Sequence, residues 1–209
     1  MKKTRASRFE HRRRREQKTD YRARLKLLKG GKDRLVVRKF NNNLVCQVVE
    51  HTRNGDRTLF SAEARELPGF GWKAGLGNIP AAYLTGLLCG VRAGGKECVL
   101  DLGLQMSTKG SRLYAALKGA ADGGVKVPFS EDNLPTPERI AGNHIAGAAG
   151  AGGHAFSAYK KASLDPKSVA PHLEEIKSAI LKSDGKGQKA PASERSQKPA
   201  AKTTRPSKK

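Results

Sequence analysis

The side chains best suited to catalysis are few and scattered. Asp101 is predicted to end a strand, Asp122 to end a helix, and His144 lies further along the chain. A metal-dependent nuclease would need two or three carboxylates around a divalent cation, and the sequence contains no DxD or HxxxH spacing. We therefore expect no catalytic residue and no metal site, and we interpret Asp101 as an acceptor of turn or cap hydrogen bonds.

Two glycine-rich stretches have the composition of phosphate-binding loops. The first, GFGWKAGLG (69–77), has Ala74 where the third glycine of a GxGxxG motif would stand. The second, GGKEC (94–98), has a lysine but neither the rest of the Walker pattern nor its Ser or Thr. We interpret both as turns and close-packing segments, and expect no cofactor and no small-molecule substrate.

The distribution of charge points to a polyanionic partner instead. The formal net charge is +22. Residues 1–39 contain 17 Lys and Arg against 4 Asp and Glu, and residues 182–209 contain 9 against 2, whereas residues 40–181 contain 15 against 13. Charges this dense repel one another unless a partner neutralises them. The two ends therefore predict a polyanion that stays bound.

Among polyanions, nucleic acid fits the N-terminal segment better than a membrane surface. Basic residues lie on nearly every side of a predicted helix over 10–29, which leaves only a thin apolar stripe of Tyr21, Leu25 and Leu28. A membrane-surface helix would carry a broad apolar face, and arginine is well suited to bidentate phosphate contacts. The cations expected to meet phosphates are Arg12, Arg13, Arg14, Arg15, Lys18, Arg22, Arg24 and Lys26.

Cysteine usage and the start of the chain indicate a reducing compartment. Cys46, Cys89 and Cys98 lie in apolar runs and form no CxxC pair, so we expect buried free thiols. No apolar segment follows Met1-Lys2-Lys3, and the longest apolar stretch, 81–91, is too short to span a bilayer. We expect a cytoplasmic protein without a membrane partner.

The middle of the chain predicts an α/β layered domain with a mixed sheet. RLVVRKF (34–40) and LVCQVVE (44–50) are β-branched runs separated by Asn41–Asn43, which predicts a hairpin with a three-residue loop. RTLFSA (57–62) follows the turn signal RNGD (53–56) and is predicted to add a third antiparallel strand.

Alternating helices and strands follow the hairpin. A helix is predicted from Asn78, with Pro80 in its first turn, and a second over 111–122. Strands are predicted over 97–104 and 125–129, and this order implies parallel pairing. The core-facing stripe of the first helix consists of Leu84, Leu87, Leu88 and Val91.

After residue 130 the pattern becomes helical and then polar. A helix is predicted over 136–148, a glycine-rich loop over 147–155, and a helix over 171–182 that Gly185 ends. We expect four parts: a basic arm (1–30), the α/β core (31–130), a C-terminal helical extension (131–182) and a disordered basic tail (183–209).

Three stretches together resemble one known family. They are RRRREQKTDYRARLKLLKGGKDRLVVRK (12–39), GNIPAAYLTGLLCGVRA (77–93) and VLDLGLQMSTKGSRLYAALKGAADGGVKVP (99–128). In this order they are similar to the archaeal form of large-subunit ribosomal protein eighteen, which is related to eukaryotic ribosomal protein five. The resemblance covers about residues 5–182.

The resemblance implies a non-enzymatic role in the ribosome. The family binds 5S ribosomal RNA and attaches it to the large-subunit (23S) RNA in the central protuberance, beside neighbouring ribosomal proteins. By resemblance the RNA-contacting residues are Arg12, Arg13, Arg14, Arg15, Lys18, Tyr21, Arg22 and Arg24 in the arm, Arg38, Lys39 and Asn41 at the hairpin tip, and Gly110, Ser111 and Arg112 in a later turn.

Two departures and two alternatives accompany this expectation. The family's hairpin tip carries Ser, Asn and Lys where this chain has Phe40, Asn41 and Asn42, so a hydroxyl and a cation are missing. The tail after Lys182 has no family role, and we expect it to follow ribosomal RNA or stay mobile. A general nucleic-acid-coating protein of the chromatin type is the first alternative, and a metal-dependent nuclease using Asp101 is the second.

Overall fold

The computed structural model describes residues 12–150, 156, 159 and 162–183, and the centre of the molecule is a four-stranded mixed sheet. The strands lie in the order β3-β2-β1-β4, with β1–β2 and β2–β3 antiparallel and β1–β4 parallel. The expected α/β class with a mixed sheet is confirmed. The strands are β1 (Asp33–Lys39), β2 (Leu44–Thr52), β3 (Gly55–Glu63) and β4 (Cys98–Asp101).

The predicted hairpin forms, but its loop is one residue longer than expected. Lys39 pairs with Leu44, so the loop spans 40–43. The Phe40 N–H donates to the Asn43 carbonyl at 2.8 Å and closes the loop. None of the three asparagines takes a positive φ, because a four-residue loop turns the chain without a left-handed residue.

β4 is shorter than the predicted strand over 97–104. It ends at Asp101, and the Asp101 Oδ1 atom accepts a hydrogen bond from the Gly103 N–H at 2.8 Å. Gly103 has a φ of +61°, a conformation that glycine adopts without strain. This turn takes the chain out of the sheet three residues before the expected end, and it confirms that Asp101 accepts a turn hydrogen bond.

The fifth strand expected over 125–129 is reduced to one isolated bridge. Glu97 and Lys126 form a single parallel pair beyond the end of β4. Pro128 has no N–H to donate, so the ladder does not extend past it. The parallel direction was predicted correctly, whereas the length of the strand was wrong.

Seven α-helices are present in the described residues. They are α1 (Arg12–Arg15), α2 (Tyr21–Lys29), α3 (Ile79–Ala93), α4 (Arg112–Asp122), α5 (Pro137–Ala141), α6 (Asn143–Gly150) and α7 (Val169–Lys182). Short 3₁₀ turns cover Ala64–Phe70, Glu131–Asn133 and Pro166–Ser168. The longest helix has 15 residues, and no described helix is long and apolar enough to cross a membrane.

Helices α3 and α4 cover one face of the sheet. The Asn78 side chain caps α3 by accepting from the Ala81 N–H at 2.8 Å, as its position predicts. The predicted stripe of α3 is confirmed, since three of its residues are fully buried and the fourth packs partly buried against the core. The stripe residues are Leu84, Leu87, Leu88 and Val91.

The contact between α3 and α4 depends on glycine. A Cβ atom on Gly86 would overlap the Ala116 carbonyl, and one on Gly119 would overlap the Tyr83 carbonyl. The two backbones therefore approach more closely than any side chain allows. Gly86 and Gly90, four residues apart in the sequence, form the flank of α3 against which α4 packs.

The C-terminal extension differs from its predicted form at one glycine. The single helix expected over 136–148 is wrong, because Gly142 has a φ of +91° and separates α5 from α6. The loop expected over 147–155 is wrong for 147–150, which belong to α6, and 151–155 lie outside the described residues.

Helix α7 closes the core over the end of α3. Leu173, Ile176 and Ile180 are buried, as their spacing predicts. The helix begins at Val169 and ends at Lys182, with Ser183 as its C-terminal cap, whereas the sequence suggested Gly185, which lies outside the described residues.

The three cysteines are free and buried, as expected. Hydrogen bonding with the Cys89 thiol, together with burial, raises the pKa of Cys46 well above its usual value. A neutral buried thiol behaves as a small apolar side chain. The cysteines therefore belong to the packing between β2, β4 and α3.

The glycine contact predicts a large difference between helical glycines. We expect Gly86→Ala to lower the free energy of unfolding by about 2 kcal/mol or more, because the added methyl group meets fixed backbone. Gly147→Ala is the matched control, since it lies in α6 with open space around it and should be neutral or stabilising by up to ~1 kcal/mol. Urea unfolding measures both, and equal effects would contradict the packing described.

Candidate RNA-binding surface

The described chain begins with a helical turn made of arginine. Arg12–Arg15 form α1 and are all exposed. The Arg12 Nε atom donates to Glu16 at 2.8 Å, and the Lys18 Nζ atom lies 2.9 Å from the other carboxylate oxygen. The hydrogen bonds from Arg12 and Lys18 lower the pKa of Glu16. Glu16 is the one carboxylate in residues 12–19, so the basic residues of this segment outnumber its acidic residues.

The arm consists of two helices with a bend between them. Gln17 has a φ of +50°, and the Arg13 Nε atom donates to the Thr19 hydroxyl at 2.9 Å across the bend. The Asp20 carboxylate then caps α2 by accepting from the N–H groups of Arg22 and Ala23 at 2.9 and 3.1 Å. The predicted helical arm is therefore present, with a break that the sequence did not indicate.

Helix α2 leaves the centre of its thin apolar stripe exposed to solvent. The side chain of Leu25 is 55% exposed, while Tyr21 and Leu28 are half-buried. The helix instead turns Ala23, Arg24 and Leu27 toward a groove against the sheet. An ion pair made by Arg24 sets this rotation.

Asp56 joins the arm to the sheet. Its Oδ2 atom lies 2.9 Å from the Arg24 Nη2 atom and 2.6 Å from the Arg34 Nη2 atom, and its Oδ1 atom lies 3.1 Å from the His51 Nδ1 atom. Burial alone would raise the pKa of Asp56, but the hydrogen bonds from His51 and Arg34 and the nearby positive charges outweigh it and lower the pKa. A single carboxylate thus contacts α2, β1 and β2.

Asp101, the last residue of β4, extends this ion network to the strand that pairs with β1 in parallel. Arg34 donates to its Oδ2 atom at 2.8 Å and Arg38 to its Oδ1 atom at 3.0 Å. Arg38 also donates to the backbone carbonyls of Asp101 and Val37 at 2.7 and 2.9 Å. The side chains of Arg34 and Asp101 are 5% and 8% exposed, so this pair is buried.

A groove of about 650 Å³ lies between the arm and the sheet. Its floor includes Val36, Gln47 and Val49 from the face of the sheet opposite α3. More cations than carboxylates line it: Arg13, Lys18, Arg24, Lys26, Arg34 and Arg38 against Asp20, Asp56 and Asp101. All three carboxylates accept bonds from the protein itself, so the excess charge of the groove is positive.

The hairpin tip is held in place by two long side chains. The Gln105 side-chain amide bonds the backbone N–H and carbonyl of Lys39 at 3.4 and 3.3 Å. The Arg112 Nη1 atom donates to the carbonyls of Phe40, Asn41 and Gly77 at 3.0, 3.3 and 2.8 Å. The tip therefore has a fixed position relative to the start of α4.

The turn before α4 uses several of its donors internally. Gly110, with a φ of +66°, donates its N–H to the Asn133 carbonyl at 2.9 Å, and Ser111 donates its N–H to the Thr108 carbonyl at 3.2 Å. The Ser111 hydroxyl oxygen is buried and has no hydrogen-bond partner within the described structure. A phosphate site at Gly110, Ser111 and Arg112 stays a prediction.

The expected contact residues differ in burial and in what they bond. Arg24, Arg38 and Arg112 are half-buried and bond to other elements of the fold, whereas Arg12, Arg13 and Lys18 bond to residues within the arm. Asn41 is exposed and Lys39 and Tyr21 are half-buried. The exposed arm cations are Arg12, Arg13, Arg14, Arg15, Lys18, Arg22 and Lys26.

Three residues that build this surface were missed by sequence reasoning. Arg34 and Asp56 form the centre of the ion network, and Gln105 holds the hairpin tip. Arg34 begins the β-branched run RLVVRKF, and this position indicated that its guanidinium has a partner within the protein, because a charge is buried only when it is paired. Neither Asp56 nor Gln105 carried such a signal. No group of three or more His, Cys, Asp or Glu within the described ranges could hold a metal ion.

Comparison with known proteins gives a consistent result. The model of the family described as ribosomal large subunit proteins 60S L5 and 50S L18 matches residues 6–97 and 93–130. Large ribosomal subunit protein uL18 of Methanothermobacter thermautotrophicus is 46% identical in an alignment of 177 positions that covers 81% of this chain and 92% of that protein.

Both matches are to proteins of the large ribosomal subunit, and the chain is a structural protein of that class. More specifically, it belongs to the family of large-subunit proteins 60S L5 and 50S L18. The resemblance seen in the sequence is confirmed, and so is the expected location in the cytoplasmic ribosome.

The buried ion pair predicts a strong effect of one carboxylate. We expect Asp101→Asn to lower the free energy of unfolding by about 3 kcal/mol, because Arg34 would keep a buried charge with one partner fewer. Asp132→Asn is the matched control, since Asp132 is exposed and has one long contact, 3.5 Å from the Ser130 hydroxyl. Urea unfolding at pH 7 compares them, and similar losses would contradict a structural role for the pair.

The lowered pKa of Asp56 predicts a pH dependence of known sign. A carboxylate with a depressed pKa in the folded state contributes stability that is present above its unfolded pKa of 3.8 and is lost as the pH falls through the folded value. We expect the stability difference between the wild type and Asp56→Asn to be constant above about pH 5 and to shrink below pH 4. Urea unfolding between pH 3 and 7 measures it. A difference that stays constant over this range would show that Asp56 is not favoured in its charged form.

Proposed function

We propose that this large-subunit protein binds 5S ribosomal RNA and attaches it to 23S ribosomal RNA in the central protuberance, beside neighbouring ribosomal proteins. The proposal gives the chain a non-enzymatic role. The observation that carries it is the arm: a helical turn of four exposed arginines followed by a second basic helix, with one carboxylate in residues 12–19. Such a segment is unfavourable alone and is neutralised by a phosphate backbone.

The internal bonds of the surface suggest how the work is divided. Arg24 and Arg38 bond to carboxylates, and Arg112 bonds to backbone carbonyls, so these three position the arm and the hairpin tip. The exposed cations of α1 and α2 are left to make the phosphate contacts. The same reading gives the polar tip residue Asn41 a place at the RNA surface.

The rest of the chain supports recognition rather than charge neutralisation alone. A sheet, two packed helices and a C-terminal extension hold the hairpin tip and the arm at fixed positions. A general coating protein needs charge but no such framework. The basic tail, outside the described residues, adds charge that follows ribosomal RNA in this proposal.

Direct titration tests the proposal. Purified protein is titrated against 5S ribosomal RNA with transfer RNA in excess, at two salt concentrations. Binding that survives the competitor is the expected result. Binding that transfer RNA removes at equal mass would favour the general coating protein, and no binding to either RNA would overturn the proposal.

The arm predicts a change in salt dependence as well as in affinity. We expect Arg15→Gln and Lys26→Gln each to reduce the slope of log K against log salt by about 1, because each removes one phosphate contact. Lys167→Gln is the matched control, an exposed lysine in the 3₁₀ turn before α7. The titration above provides the slopes. An unchanged slope for both arm variants would place the phosphate contacts elsewhere.

A further inference from the structure

Two loops meet at the hairpin end of the sheet and expose apolar side chains there. The Gln105 side chain forms hydrogen bonds with the N–H and the carbonyl of Lys39. Leu104 and Met106 flank Gln105 in the sequence, so both are adjacent to a residue that contacts the hairpin tip. Phe40 follows Lys39 directly. The side chains of Phe40, Leu104 and Met106 are 56%, 55% and 80% exposed. We call these three residues the apolar patch.

The patch is not a scatter of ordinary surface residues. Six large apolar side chains are exposed in the part of the chain that the structure describes, and half of them belong to the patch. The other three lie apart in sequence, on α2, after the bridge at Lys126 and at the end of α7. A concentration of exposed apolar side chains on a rigid support indicates a binding surface.

The charge around the patch selects the class of partner. The segments 38–43, 76–78 and 102–112, which Gln105 and Arg112 tie together, contain no Asp or Glu. Lys39 and Lys109 add cations to these segments. The adjoining acidic groups are engaged within the protein: the Asp101 carboxylate accepts from Arg34, Arg38 and the Gly103 N–H, and the segment Glu131–Asn133 contacts Gly110 through the Asn133 carbonyl. Apolar side chains within a positive rim suit the faces of nucleobases with phosphates beside them.

We propose that the apolar patch is a docking site for unstacked bases of ribosomal RNA, in addition to the phosphate contacts of the arm. The inference rests on the proposed function and adds a second kind of contact to it. Bases that leave a helix in loops and bulges expose their faces, and aromatic side chains stack on them. Phe40 supplies the ring, while Leu104 and Met106 extend the apolar surface.

Preorganisation favours such a contact. Gln105 and Arg112 hold the backbone of the tip through three carbonyls and one N–H, and neither uses the exposed side chains. Binding a base therefore requires little ordering of the protein, which leaves more of the stacking free energy for affinity.

Salt dependence separates this contact from the phosphate contacts. Phe40→Ser, Met106→Ser and the double variant are titrated against 5S and against 23S ribosomal RNA over a series of salt concentrations. We expect Phe40→Ser to weaken binding to at least one RNA roughly 10-fold, with the slope of log K against log salt unchanged, because stacking releases no counterions. Lys39→Gln should instead reduce the slope.

Leu181→Ser is the matched control. Leu181 is 49% exposed and lies on α7, which packs against α3, α5 and α6, so its loss should leave both affinities unchanged. Because the substituted apolar side chains are exposed, we expect the variants to fold. Urea unfolding checks that they do.

Three results are distinguishable. Wild-type protein that fails to bind 5S RNA overturns the proposed function, and the base-docking inference is then decided on 23S RNA. Patch variants with wild-type affinity for both RNAs overturn the inference. If those variants also fail to enter large subunits, the patch contacts a protein, which likewise excludes base docking.

Discussion

The position of the arm and the geometry of the open sheet face depend on one buried guanidinium. Arg34 lies between Asp56, which also pairs with Arg24 of α2, and Asp101, which also pairs with Arg38 at the end of β1. A buried charge is tolerated only while its partners are in place. The pairing of β4 with β1, the location of the β2–β3 turn and the orientation of the arm are therefore set together, by a network in a protein that is otherwise strongly basic.

That constraint explains why several cations of this basic chain form ion pairs within the protein and are not available to a binding partner. The few carboxylates on this side of the molecule hold Arg24, Arg34 and Arg38 as internal supports. The arginines of α1 have almost no carboxylates near them in sequence. Nearby carboxylates thus distinguish Arg24, Arg34 and Arg38 from the exposed arginines of α1, and a count of basic residues does not.

Local patterns were sufficient for the elements that one segment determines by itself. The hairpin, the Asn78 cap and the apolar faces of α3 and α7 follow from residue types at fixed spacing. The side of α2 that faces the sheet does not follow from its apolar stripe alone, because Arg24 of this helix pairs with a distant carboxylate, Asp56. The same holds for the candidate surface: its exposed cations could be read from the sequence, whereas the bonds that Gln105 and Arg112 make to the hairpin tip join residues more than 60 positions apart.

The helical turn of arginine has a consequence for the lifetime of the protein. A four-residue helix opens easily, and exposed terminal segments are preferred sites of proteolysis. Each peptide bond after Arg12–Arg15 is a substrate for proteases that cleave at basic residues, and RNA bound along the arm would shield all of them at once. If the arm binds RNA as proposed, the segment that makes this contact would also be the segment open to proteases in molecules that have not made it.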